Sequence, residues 1–423
     1  MQKNLLFLCL YISCFSFTAF TQKDSTVYFK GATKENRDKL HRNFLQNTIT
    51  GNLSLPLNEE TEDNWIDAFG AIELLHFKSP WTDGRIGIAF DSITKRSIDF
   101  QRALLELAYA SFRGRFTKQV TALLNNTKEA KIFAMGAEYL LLNNSLAAAG
   151  INLENKKKQL VKSEKDEAIV GQLLYSVQHR PGPTKNVLFA AITNRGFLKN
   201  RTILYSFQRK NRNFPGLALI RDSAGNFIKK ENGQIFSVPQ LARSINGLPG
   251  YLTNGNTPQG IFRMYGFDTS KTYFIGPTTN IQLTMPFETS LQHFFNDSTI
   301  NDSIWTEEWY KKLLPPTLKN YRPLYESFYA GKAGRTEIIA HGTTVDPQYY
   351  AGEIYYPQTP TMGCLCTKEI WSDIDGRRLD SDQQKLATAL QNAGGPDGYC
   401  VVVEIDDAQQ PVTIDEILPL LTR

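Results

Sequence analysis

Cysteine and histidine are scarce in this chain, five of each in 423 residues. Nowhere do they form Cys-x-x-Cys or His-Glu-x-x-His, the spacings that bring ligands around a metal ion. No metal and no other cofactor is therefore expected. A phosphate-cradling loop is missing as well: "NAGGPDG" (Asn392–Gly398) reads as a turn, not as G-x-G-x-x-G opening a helix. There is no long basic run. "NKKKQLVKSEKDE" interleaves acids with its lysines and reads as a solvated helix face, and the net charge of +5 is mild. Nucleic acid is not an expected partner. Beyond the first twenty residues no apolar run is long enough to span a membrane.

Those first residues do carry a signal. "MQKN" bears one positive charge, "LLFLCLYISCFSFTAF" is apolar, and "TQKDS" ends the run abruptly. Residues 1–21 read as a signal peptide cut before Gln22, so the chain is expected to be exported to the periplasm or cell envelope. A retained anchor is one alternative and a lipid attached at Cys14 another. Tyr11 stands where an aliphatic residue is usual before a lipidated cysteine, and the apolar run continues past Cys14. With the leader go Cys9 and Cys14, leaving Cys364, Cys366 and Cys400. An odd number excludes intrachain disulfides as the explanation of all three. A Cys366–Cys400 bridge with Cys364 free, two small buried thiols, and a strained Cys364–Cys366 bridge all stay open.

The composition, 41% hydrophobic and 21% charged, is that of a globular chain with room for more than one domain. Residues 22–62 are polar and show no clear period, which predicts an irregular segment. From Asp63 the apolar residues fall at helical spacing: Trp65, Phe69, Ile72 and Leu75 make one stripe. Similar stretches continue to about 180, predicting an all-α domain over 63–180, a scaffold or a surface for a cell-envelope partner. "HRPGPTKN" (His179–Asn186) reads as a linker. The texture then turns to short β-rich runs: "NVLFAAIT", "RTILYSFQR", "GLALIRDSAGNFI", "GIFRMYGF", "TEIIAHGT" and "GYCVVVEIDD". Residues 185–423 are expected to form a mainly β domain, interrupted by a helical, aromatic-rich insertion at about 285–333. Helices are expected at "LDSDQQKLATALQNAGG" and "TIDEILPLL", each with its cap. The expected class is multidomain α+β.

"PTMGCLC" (Pro360–Cys366) places a thiol directly after a glycine, 23 residues beyond the histidine of "AHGTT". A nucleophilic cysteine needs a base or a positive field to become a thiolate. Attack on a carbonyl then needs N–H donors aimed at the oxyanion, and a preceding glycine lets the backbone turn tightly enough to supply them. Of the five histidines, His41 and His76 lie in or before the helical half, His179 in the linker and His293 in the insertion. His341 closes a strand-like run and precedes Gly342, the place where an imidazole serves a cleft. On spacing alone a Cys364/His341 pair and two structurally buried residues are both open readings.

"IIAHGT" followed by "PTMGC", with "TNGNTPQGIFRM" (Thr253–Met264) ahead of them, resembles the signature of the YkuD-type L,D-transpeptidases. The resemblance spans about residues 185–405. It implies a YkuD-like fold for the β-rich part, Cys364 as nucleophile, His341 as base and the Gly342 carbonyl as the group orienting the imidazole. It further implies an oxyanion hole from the N–H groups of Gly363 and Cys364, and Thr361 as the Ser/Thr of the motif. The implied partners are peptidoglycan stem peptides. The acyl-enzyme would pass to a second stem, giving a 3→3 cross-link, or to water, giving L,D-carboxypeptidase action. The expected product is thus an exported peptidoglycan L,D-transpeptidase. Two positions depart from the pattern: Met362 replaces a common histidine and Cys366 a common arginine. They favour a second reading, a catalytically inactive wall-binding or scaffolding protein that keeps the fold. Tyr356 and Arg263 are weaker candidates for substrate contact, and Tyr349, Tyr350 and Tyr355 for loop packing. Trp371 and Ile374 are expected to pack a helix on the sheet. If His341 activates Cys364, the thiol's pKa should lie well below 8.5.

Overall fold

Short polar residues punctuate the first two hundred positions of the chain. Thr33, Ser79, Ser97, Ser163 and Thr184 each accept a backbone N–H from the first turn that follows, so a helix starts after every one. The computed structural model describes residues 27–178 and 182–421. The leader, with Cys9 and Cys14, and residues 179–181 of the linker, including His179, lie outside them. Between Glu62 and Ser176 the chain forms a stack of helices around Trp65, Phe69, Phe100, Leu104, Phe133 and Leu140.

Of the segment 22–62, expected to be irregular, the described residues 27–62 correct the sequence reading. Lys34–Asn43 is helical, a π-helical turn follows at Phe44–Gly51, and Ile49 and Leu53 are buried in the same core as Trp65. Few of this segment's residues are buried, so its apolar period is too thin to read. Its first described residues run instead to the β-rich half, where Phe29 N–H donates to the Gly376 carbonyl at 2.8 Å. "NVLFAAIT" is also corrected. It is the helix Lys185–Ile192, capped by Thr184, and it buries Leu188, Phe189 and Ile192 on one side.

The remainder is mostly β. Eight strands, β1 Thr202–Arg209, β2 Gly216–Arg221, β3 Ser237–Gln240, β4 Gly260–Thr269, β5 Thr279–Thr284, β6 Ile339–His341, β7 Leu365–Cys366 and β10 Gly398–Asp406, form one sheet. Their order is β3-β2-β1-β10-β4-β5-β6-β7. The small pair β8 Glu369–Trp371 and β9 Arg378–Ser381 stands apart. The sheet curls until its ends meet: Leu241, just past β3, exchanges both backbone hydrogen bonds with Cys366 on β7 at 2.8 Å. Side chains alternate across a strand, so the curl has two faces. Leu204, Ile220, Phe262, Met264, Ala340, Leu365 and Val402 point inward onto the helix Asp382–Asn392. Tyr205, Phe207, Ile261, Tyr399 and Val401 point outward beneath the helices of 185–192, 291–328 and 414–421. The inserted segment is helical as expected and packs its Tyr310 and Tyr325 into this outer layer.

The α+β class holds, but helices and sheet share packing. Leu248, Tyr251, Leu252 and Ala333 of the β-rich half are buried in the helical core. Among the described residues no helix is long and apolar enough to cross a membrane.

Candidate active site

β6 and β7 run parallel, with Ala340 opposite Leu365 and His341 opposite Cys366. Ala340 and Leu365 belong to the inner core. His341, Cys366 and, by alternation, Cys364 therefore lie toward the other face, under the strap of residues 343–362. His341 is buried. Its Nδ1 is bonded to the carbonyl of Gly342. A carbonyl only accepts, so Nδ1 carries the proton and Nε2 keeps its lone pair. Burial pushes the imidazole down to about 4, with the Gly342 carbonyl pulling the other way. At neutral pH the ring is uncharged. A Cβ on Gly342 would stand 2.2 Å from the Glu369 carboxyl carbon, so any larger residue there would push that carboxylate aside.

Cys364 is half-buried at the end of a tight turn. Thr361 Oγ accepts the Gly363 N–H at 3.0 Å and donates to the Cys364 carbonyl at 2.9 Å. From outside the turn, Thr257 Oγ donates to the Gly363 carbonyl at 2.9 Å. Gly363 has φ +115°, the region that favours glycine. So the Ser/Thr-x-Gly-Cys spacing has a physical reason: one hydroxyl closes the turn and the glycine permits it.

Several expectations change here. Gly363 N–H is already bonded to Thr361, so only the Cys364 N–H of the expected pair is unclaimed among the described residues. The sulfur does not meet His341. Cys364 Sγ donates to the Glu337 carbonyl at 3.7 Å and accepts from Ile339 N–H at 3.5 Å. His341 lies two residues further along the neighbouring strand, about 6.6 Å in strand rise, and no sulfur–imidazole hydrogen bond joins them among the described residues. Burial pushes the Cys364 thiol up, opposed by the Ile339 N–H and by Arg335. The expected depression by His341 is absent in this resting arrangement, because the imidazole is neutral and not in contact.

Arg263 is not at the site. It is buried on the outer face of β4, donating to the Gly398 carbonyl at 2.8 Å and paired with Asp397. Tyr356 is exposed on the strap and accepts from Gln348 at 3.1 Å. Tyr350 and Tyr355 are buried with Leu241 and Val345. Met362 is two-thirds exposed beside the turn. Trp371 sits on β8, where its indole N–H holds the Thr343 carbonyl at 2.8 Å, while Ile374 is exposed, so neither packs a helix on the sheet. His293 is exposed on the helix Leu291–Phe295. Cys364, Cys366 and Cys400 are all free. Cys400 on β10 packs in the inner core, whereas Cys366 on β7 lies toward the other face with β4, β5 and β6 between their strands, so no disulfide joins them.

The sequence reading missed three residues. Thr257 was quoted within "NTPQG" but given no role. Glu369 holds Thr343 N–H at 3.0 Å and Ser381 Oγ at 2.6 Å, keeping the chain after His341 in place. Arg335, in the unremarkable stretch "AGKAGRTE", is buried against Gly363. The helical half reaches the same place through the loop 247–256. Tyr251 donates to Glu138 at 2.7 Å, Lys131 to Thr253 at 2.9 Å and Asn254 to Glu106 at 3.2 Å. It reaches the strap too, with His76 edge-on to Tyr350 and 3.3 Å from Glu353.

Compared with models of known protein families, with curated proteins and with solved structures, the chain matches none.

Proposed function

We propose that this chain is an exported cysteine acyltransferase of the YkuD L,D-transpeptidase kind, acting on peptidoglycan stem peptides. The observation that carries the reading is the locked tautomer of His341. Its Nδ1 proton is held by Gly342, and its unprotonated Nε2 lies on the sheet face that it shares with Cys364. In the proposed reaction, Cys364 turns from Glu337 toward His341 and gives its proton to Nε2. The thiolate attacks the carbonyl carbon of the L,D-peptide bond, and the Cys364 N–H faces the oxyanion. The C–N bond breaks, the departing D-residue's amine takes the proton from His341, and a thioester remains. An amine of a second stem, or water, then attacks the thioester. Its proton returns through His341 to the sulfur, freeing Cys364. The helical half would recruit a cell-envelope partner.

A second reading, a wall-binding module without catalysis, is favoured by two observations: the Gly363 N–H is taken and the sulfur rests on Glu337. A sacculus digest decides between them. Cells expressing the wild type should show 3→3 cross-links or shortened stems that are missing with Cys364→Ala. Identical muropeptides from both would leave the wall-binding module.

A further inference from the structure

Arg335 is buried, yet its bonds all go to uncharged groups. Its guanidinium donates to the main-chain carbonyls of Gly250, Gly255 (2.6 Å) and Asn256 (2.8 Å). Among the described residues no carboxylate lies within 4.0 Å of it. The nearest acids are committed elsewhere: Glu326 accepts from Gln259 N–H at 2.8 Å, and Glu288 accepts from the N–H groups of Glu337 (2.8 Å) and Met285 (2.6 Å). A buried cation without a contact counter-ion is costly, so the site that keeps one has a use for its charge. The charge is aimed at the cysteine turn. A Cβ on Gly363 would stand 1.9 Å from the Arg335 nitrogen. The guanidinium charge also reaches the thiol of the next residue, where it favours the thiolate against the effect of burial.

We infer that Arg335 is the positioning residue that supplies the positive field for the Cys364 thiolate, acting from the far side of Gly363 rather than from beside the sulfur. This rests on the reading of Cys364 as the nucleophile, but its test does not need the substrate. When the thiol loses its proton, the negative sulfur gains a cation held across one glycine, one that no carboxylate touches and that Glu326 and Glu288 offset only from a distance. A role limited to fastening the loop 250–256 would leave the thiol's ionisation untouched.

The experiment is alkylation of the full chain by iodoacetamide from pH 6 to 10, with mass spectrometry resolving the three cysteines. Buried Cys366 and Cys400 report whether the fold has opened. Arg335→Met should raise the Cys364 pKa by about one unit, making alkylation below it about tenfold slower, with Cys366 and Cys400 protected. Arg335→Lys, which keeps the charge but not the three carbonyl bonds, should restore most of the rate. An unchanged profile in a folded Arg335→Met overturns the inference. If Arg335→Met unfolds, Arg335→Lys decides: a pKa near wild type supports the field, and a full unit's rise in a folded protein overturns it. A sacculus digest indifferent to Cys364→Ala, together with an Arg335-dependent thiol, would sink the enzyme reading and leave this one standing.

Discussion

The hydroxyl of Thr361 spans the turn at Cys364, donating to the Cys364 carbonyl and accepting the Gly363 N–H. Valine has the same shape without the hydroxyl. Thr361→Val should cost about 1–3 kcal/mol for two lost bonds and slow acylation of Cys364 roughly tenfold, a tenfold change being about 1.4 kcal/mol. Thr361→Ser should recover both. Thermal melts and acylation rates on the three proteins check this.

Gly363→Ala should be harsher. The left-handed φ is strained for alanine, and the added methyl meets Arg335 at 1.9 Å and the Gly255 carbonyl at 2.6 Å. A loss of about 2–4 kcal/mol is expected, read as a fall in the denaturation midpoint. A stability equal to wild type would mean that the turn and Arg335 are not packed together.

Two buried groups tilt stability with pH in opposite directions. Glu369 is raised to about 7 by burial, opposed by Ser381 and Thr278 among others. The folded state binds its proton more tightly than the unfolded state, so this contribution is greatest below about pH 4.5 and is lost as pH rises to 7. His341, lowered to about 4 by burial, binds its proton less tightly when folded. Its contribution is present above pH 6.5 and is lost as pH falls toward 4. Glu369→Gln should therefore flatten the fall between pH 4.5 and 7 and gain roughly 2–3 kcal/mol relative to wild type at pH 8. Urea titrations across this range measure both slopes.

The resting thiol bonds to the Glu337 carbonyl and not to an imidazole. Its alkylation at neutral pH should accordingly be slower than that of a free cysteine, and His341→Ala should change that resting rate less than twofold. The same variant should lose at least a hundredfold in acylation by a substrate-like carbonyl, because no base then accepts the thiol proton. A large drop in resting alkylation would mean that the two residues already meet.

The turn was legible from the glycine directly before Cys364, whereas Thr361 entered only through the resemblance and its bridging hydroxyl shows only in the fold. The helical half was legible where Trp65, Phe69, Ile72 and Leu75 make a continuous stripe. It was not legible at 30–54, where only Ile49 and Leu53 among the long apolar side chains are fully buried. "NVLFAAIT" misled because a short apolar run suits a strand as well as a helix, and Thr184 decides for the helix only once its cap bond is seen. Arg335 left no trace, because an arginine between Gly334 and Thr336 looks like a surface charge until the chain folds Gly363 against it. Arg263 and the Cys366–Cys400 pairing failed for the same cause: strand order across the sheet, β10-β4-β5-β6-β7, is not written in local sequence.

The central claim is that Cys364 is a nucleophile. Intact-mass analysis after exposure to a carbapenem, the β-lactam class that acylates the cysteine of the transpeptidases this chain resembles, tests it most directly. The account predicts a single adduct on the wild type, absent from Cys364→Ala and much slower to form in His341→Ala. No adduct on a folded protein whose Cys364 is reduced and open to iodoacetamide would contradict it.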